Sequence, residues 1–235
     1  MYRLALVAAA NLIALPAIAS ASNSGGTHGD GKKITESRQV ASFTSIRVRG
    51  IDAAVKVGGV LAVAVTIDQN LQSHVTTEVS GDTLVVRAKD ASWKGKGGVE
   101  ITVPALRALT IEGSNNATID GGQGDLTLKI EGNGKLRWNG AALNLEATIS
   151  GRGDLLLSGT AELARLSVTG AGDVKAGGLT AKAAVIEVGG LGNVEVTLDG
   201  GPLRASVSGS GDVVWHGSAT VELASVTGSG KIVRR

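Results

Sequence analysis

In the second half of the chain apolar and polar residues alternate, as in Leu126-x-Leu128-x-Ile130 and Leu136-x-Trp138, and a period of two predicts strands. The alternation is itself repeated. Seven segments share one pattern: IEGSNNATI from Ile111, IEGNGKLRW from Ile130, ISGRGDLLL from Ile149, VTGAGDVKA from Val168, VGGLGNVEV from Val188, VSGSGDVVW from Val207 and VTGSGKIVR from Val226. Their first residues lie 19, 19, 19, 20, 19 and 19 positions apart. A second turn follows each short strand, as at Asn139-Gly140, Ser158-Gly159, Gly177-Gly178, Gly200-Gly201 and His216-Gly217, so each unit is expected to hold two strands and two corners.

A unit of this length is too short for a propeller blade of about 40 residues and lacks the helical stretch of many leucine-rich repeats. One coil of a parallel β-helix fits it. The fold class expected is therefore all-β, a β-solenoid with rungs of about nineteen residues, right-handed because parallel crossovers almost always are. Coils stack at ~4.8 Å, so seven would span roughly 34 Å. Equivalent residues then form inward columns: Leu136, Leu155, Val174, Val194, Val213 and Ile232 in one, and Leu109, Leu128, Ala147, Leu166, Ile186, Ala205 and Ala224 in another. Gly134, Gly153, Gly172, Gly192, Gly211 and Gly230 also align, with Asn115 in the first repeat. That column is expected to mark a corner of positive φ, which glycine, and after it Asn, adopts most readily.

Residues 40–110 carry short alternating runs without the regular period, and are expected to form irregular coils and a cap over the end of the tube. Residues 111–235 would be the regular rungs of the same domain. Residues 22–39, rich in Gly, Ser and Lys at their start, are expected to be a flexible leader. Residues 1–21 read as a signal peptide: Arg3, an apolar run from Leu4 to Leu15, then small residues at Ala17, Ala19 and Ala21. The apolar run falls short of the ~20 residues that span a bilayer, so no transmembrane segment is expected after cleavage. The implied location is periplasm, cell surface or medium.

Composition sharpens this picture at two points. Aromatics make up 2% of a chain that is 43% hydrophobic, so the interior must be filled by Val, Leu, Ile and Ala, which suits a narrow repetitive tube. A net charge of +2, without a Lys/Arg cluster beside stacking aromatics, gives no footprint for nucleic acid. There is no cysteine, and His28, His74 and His216 are scattered, so no metal site or cofactor is expected.

Two groups of residues could carry chemistry. Asn116, Lys135, Asp154, Asp173, Asn193, Asp212 and Lys231 occupy one column just after the corner, where Asp and Asn ordinarily stabilise turns through local hydrogen bonds. A cation or sugar ladder is the functional alternative, and the lysines in the column count against a metal. A calcium roll is excluded because such rolls repeat every nine residues. Arg152-Gly153-Asp154 spells an integrin-binding tripeptide, but its last two members belong to columns that recur without the arginine. Trp138 and Trp215 share a column with aliphatic residues and read as core. Trp93, by contrast, lies in the cationic loop Ser92-Trp93-Lys94-Gly95-Lys96-Gly97, where an indole has no evident core to join. Trp93, Lys94 and Lys96 are the candidate contact residues.

The runs Phe43-x-x-Ile46-x-Val48-x-Gly50 and Val99-x-Ile101-x-Val103-Pro104-x-Leu106, followed by the Gly-x-Gly rungs, resemble the bacterial putative auto-transporter adhesin head family, the head GIN domain, over about residues 40–200. The resemblance implies an exported β-helical protein. Nothing in the chain resembles the many amphipathic strands of a membrane barrel, which leaves self-display on an outer membrane without support. The expected function is non-catalytic and adhesin-like, with a glycan or cell-surface component as partner and an oligomeric state the sequence does not give. The alternatives are a polysaccharide lyase or hydrolase, and a structural protein that stacks end to end.

Overall fold

The computed structural model describes residues 26–235. The expected signal peptide and residues 22–25 of the leader lie outside the described residues. In chain order, β1 (Thr27–His28) and β2 (Lys33–Ser37) precede β3 (Ser45–Arg49) and β4 (Ala53–Val57). Then come β5 (Ala62–Asp68), a short 3-10 helix (Gln69–His74), β6 (Val75–Ser80), β7 (Thr83–Ala88), β8 (Ala91–Ser92) and β9 (Gly98–Val103). β10 (Ala108–Glu112), β11 (Ala117–Asp120) and β12 (Leu126–Ile130) lead into β13 (Lys135–Ile149), β14 (Asp154–Val168), β15 (Val174–Val188), β16 (Val194–Val207) and β17 (Val213–Val226). β18 (Ile232–Arg234) is the last strand.

From β10 onward each coil pairs in parallel with the next, forming a β-solenoid with a spacing of about 19 residues. The registers are the expected columns: Leu109 lies against Leu128, Leu128 against Ala147, Leu136 against Leu155 and Val194 against Val213. Burial follows the alternation, with Leu136, Trp138, Leu145, Ala147 and Ile149 of β13 all within 1% of full burial. Each such aliphatic side chain withdrawn from water contributes on the order of 1.5–3 kcal/mol, so the columns carry the fold. The second corner is not a break, as the two-strand unit had implied. β13 runs through Asn139 and Gly140, and pairing continues as Gly140 against Gly159 and Ala141 against Thr160, whereas in the later coils the register shifts at this corner, as between Leu156 and Ser158, Ala176 and Thr180, and Asp199 and Pro202.

The expected corner of positive φ is also corrected. Neither Asn115 nor any of Gly134, Gly153, Gly172, Gly192, Gly211 and Gly230 has positive φ. The glycines are there for lack of room. A Cβ on Gly153 would fall far inside contact distance of the Gly134 carbonyl oxygen, and one on Gly172 would do the same to Gly153. Successive corners stack backbone on backbone, which only a residue without a side chain allows.

The N-terminal coils depart from chain order. β3 is sandwiched between β7 and β10, and β4 between β9 and β11, all in parallel. The outermost coil, β7 with β9, is therefore made by residues that follow the coil beneath it. Antiparallel strands close this end: β6 on β7, and β5 then β2 on β9. Leu71 of the 3-10 helix is 0% exposed there. Residues 26–39 are thus not a free leader. Ile34-x-Glu36 alternates as a strand does, β2 supplies the partner that the β5 edge needs, and β1 pairs with β8. Side chains pin it as well: Lys33 Nζ lies 3.0 Å from Oδ1 of the buried Asp68, and the Arg38 guanidinium donates to Glu36 and to the Gln72 backbone and side-chain oxygens.

Candidate binding groove

The polar column is a ladder of hydrogen bonds between coils. Asp52 Oδ1 accepts from the Asn116 N–H at 2.7 Å, and Asn116 Oδ1 from the Lys135 N–H at 3.0 Å. Asp173 Oδ1 accepts from Asn193 N–H at 2.8 Å, Asn193 Oδ1 from Asp212 N–H at 2.9 Å, and Asp212 Oδ1 from Lys231 N–H at 3.0 Å. Asp154 makes a longer bond of 3.4 Å to the Asp173 N–H. Lys135 cannot accept and breaks the series, but its Nζ lies 3.5 Å from Asp154 Oδ2. Lys175 and Lys231 face the outer oxygens of Asp154, Asp173 and Asp212 within 4.0 Å. Asp154, Asp173 and Asp212 are thus each engaged by the backbone on one side and by a lysine on the other. Among the described residues no group of three or more His, Asp or Glu side chains could hold a metal ion.

The first residue of the ladder, Asp52, was missed in the sequence, and it opens onto the concave part of the surface. In the two coils beneath, four or five residues join one wall to the next at this corner, between Val48 and Ala53 and between their partners Ile111 and Ala117. In the outermost coil the same corner runs from Val86 to Val99, the partners of Val48 and Ala53. The additional residues form the loop that carries Trp93. Parallel pairing of β8 with β1 holds one end of the loop, and the Val99 N–H bonded to the Asp52 carbonyl at 2.9 Å holds the other.

Trp93 is half-buried and packs against the hydrophobic core, which corrects the expectation of an indole with no core to join. Its Nε1 lies over Gly97, where a Cβ would come within 2.8 Å of it. Beside the indole is a concavity of about 600 Å³ lined by Asp52, Lys96, Ser114 and Asn115. A second, of about 620 Å³, shares Asp52 and Lys96 and extends to Thr66, Asn116 and Thr118. The two form one groove across three coils. Asn115 is 6% exposed; its Oδ1 accepts from the Gly50 N–H at 3.1 Å, while its Nδ2 is buried without a partner. Lys94 is not in this groove. It lines a separate hollow on the other side of Trp93, with His28, Asp30 and Asp68. The structure therefore brings together two of the three candidate contact residues, Trp93 and Lys96, and sets Lys94 apart.

Trp138 and Trp215 are buried, and Trp138 Nε1 donates to the Gly121 carbonyl at 3.0 Å. Gly153 and Asp154 of the integrin-like tripeptide are held by the glycine stack and the ladder. No helix among the described residues is long and apolar enough to cross a membrane.

Solved structures share this architecture. A putative adhesin from Bacteroides fragilis is 24% identical with a TM-score of 0.83, over 89% of this chain and 100% of that one. A putative adhesin from Parabacteroides merdae is 19% identical with a TM-score of 0.69, over 88% and 98%. A putative lipid binding protein from Parabacteroides distasonis is 22% identical with a TM-score of 0.67, over 89% and 99%. At these identities the likeness is one of fold. No curated protein matches the chain. The model of the putative auto-transporter adhesin, head GIN domain, matches residues 42–219, and the chain belongs to that family.

Proposed function

We propose that this is an exported, non-catalytic adhesin-like protein that binds a glycan in the Trp93 groove, with the regular coils serving as a rigid support. The observation that carries the reading is the groove itself. A sugar ring offers an apolar face to an indole, and its hydroxyls both donate and accept. The groove supplies the indole of Trp93, the ammonium of Lys96, the carboxylate of Asp52 and the Ser114 hydroxyl along one wall. Membership in an adhesin family supports binding over turnover. A lyase or hydrolase would need carboxylates free to move protons, whereas Asp154 and Asp173 are tied to backbone N–H groups and to Lys175.

A glycan array, with host-cell fractionation for location, tests this reading. The native chain should bind a restricted set of saccharides. Trp93→Ala should weaken that binding at least about tenfold, since stacking on an aromatic ring and its desolvation amount to roughly 1.4 kcal/mol or more. Lys96→Ala, at an exposed position, should weaken it less without lowering the melting temperature. Equal binding by the native chain and Trp93→Ala would refute the reading, as would retention of the native protein in the cytoplasm.

A further inference from the structure

The aspartates of the polar ladder are not equivalent. Asp154, Asp173 and Asp212 each have a lysine nitrogen within 4.0 Å, whereas among the described residues no cationic side chain comes that close to Asp52. Its Oδ1 is taken by the Asn116 N–H, and the exposed carboxylate lines the groove beside Trp93. Asn115 is its neighbour, because the N–H that Asp52 accepts belongs to the peptide joining Asn115 to Asn116.

Asn115 stands in the glycine column, where Gly134 and Gly153 have no room for a Cβ. The coil beneath it is one residue shorter between its walls, and the Asn115 side chain reaches across to the Gly50 N–H. That bond orients the amide. An N–H needs an acceptor, so Oδ1 must face Gly50 and Nδ2 is left with hydrogens to give. Nδ2 is buried in a residue that is 6% exposed and lines the groove, and among the described residues nothing accepts from it. A buried donor is costly to leave without a partner, and here the acceptor has to come from the groove.

We infer that the groove selects sugars bearing an acetamido group, bonded by Asn115 and Asp52. The inference rests on the glycan reading and names the class of saccharide. A secondary amide carries one acceptor and one donor. Its carbonyl oxygen accepts from Asn115 Nδ2, its N–H donates to the Asp52 carboxylate, and its methyl group packs on the indole of Trp93. A site built around such a pair discriminates strongly against an analogue that lacks it, because its own polar groups are then left unmatched. A uronic acid would offer two acceptors and no donor, and would set its charge against Asp52 and Glu100, with Lys96 the one cation lining the groove.

Calorimetric titration of the chain with tetrasaccharides is the test. Chitotetraose should bind at least about tenfold more tightly than cellotetraose, which carries hydroxyls in place of the acetamido groups. Asp52→Asn keeps an oxygen for the Asn116 N–H but can turn a donor towards the sugar N–H, and should erase the preference at an unchanged melting temperature. Asp212→Asn, at the matching position of the ladder outside the groove, should retain it. Asn115→Ala should erase it too, and where that variant melts lower, Asp52→Asn decides. Cell-wall glycan strands present the same acetamido group, and the tighter ligand of the two names the source. Cellotetraose bound as tightly as chitotetraose, and lost in Trp93→Ala, would overturn this inference while the glycan reading stands. No binding of any saccharide would remove both, and a preference for an N-acetylated peptide over the sugars would also overturn it.

Discussion

Coils made by residues 45–103 and coils made by residues 135–226 do the same job by different means. In the second group chain order is spatial order, the Gly-x-Gly corner repeats the one below, and glycines such as Gly153 and Gly172 serve close contact between backbones. In the first group chain order and spatial order part, and glycines such as Gly58 and Gly81 serve turns, with φ of +96° and +63° and nothing within 4 Å of an added Cβ. Regularity makes a support. The groove arises where it fails, at a corner enlarged to hold Trp93 and placed next to coils it does not adjoin in sequence.

The two kinds of glycine should respond differently to the same methyl group. Gly172→Ala forces the Gly153 carbonyl to move, at a cost of about 3 kcal/mol. For a domain of this size that lowers the melting temperature by roughly 6–12 °C. Gly58→Ala meets no neighbour and should cost only the left-handed backbone penalty of about 1–2 kcal/mol. Equal losses measured by thermal denaturation would erase the distinction between packing and turn.

The ladder should show a smaller effect. Asp173→Ala removes the acceptor of the Asn193 N–H and should cost about 1 kcal/mol, which Asp173→Asn recovers because the amide oxygen still accepts. Added calcium should leave both melting curves where they are; a rise confined to the native chain would turn the ladder into a cation site. The smallest effect belongs to the surface of the regular coils. The hydrogen bond that the Lys182 ammonium donates to the Glu162 carboxylate, and then the Glu162 charge, hold the Lys182 amine above its usual 10.5. The sign is that of a raised group: any stabilisation is present below 10.5 and fades as pH rises through the higher folded value. Lys182 is fully exposed, so Glu162→Gln should return its titration by NMR towards 10.5 while leaving the melting temperature at neutral pH unchanged.

The regular half was legible because its information is local: a period of two inside a period of nineteen fixes strands, columns and register together. The reason for its glycines was not, since Gly-x-Gly looks the same whether the chain needs positive φ or a bare backbone. Asn115 misled for that reason, standing in the glycine column without positive φ and accepting from the Gly50 N–H instead. The order of the N-terminal coils is a matter of distant pairing, which no spacing reports. One signal was available for Asp52. Val48-Arg49-Gly50-Ile51-Asp52-Ala53 is the rung pattern of Val168-Thr169-Gly170-Ala171-Gly172-Asp173-Val174 shortened by one residue, and allowing that deletion puts Asp52 at the head of the ladder. Trp93 was legible as an oddity, but its seat on the core depended on β1 and β8, too short to recognise as strands.

The placement of coils out of chain order underlies the groove, and engineered disulfides test it directly because the chain has no cysteine of its own. Arg47 is the parallel partner of Val85 on one side and of Thr110 on the other. Neighbouring strands lie ~4.8 Å apart, within disulfide reach, while Val85 and Thr110 are two spacings apart, beyond the ~7 Å limit. Oxidised Arg47→Cys/Val85→Cys and Arg47→Cys/Thr110→Cys should cross-link, and Val85→Cys/Thr110→Cys should not. Cross-linking of the last pair, with none between positions 47 and 110, would show coils stacked in chain order and would remove the groove with them.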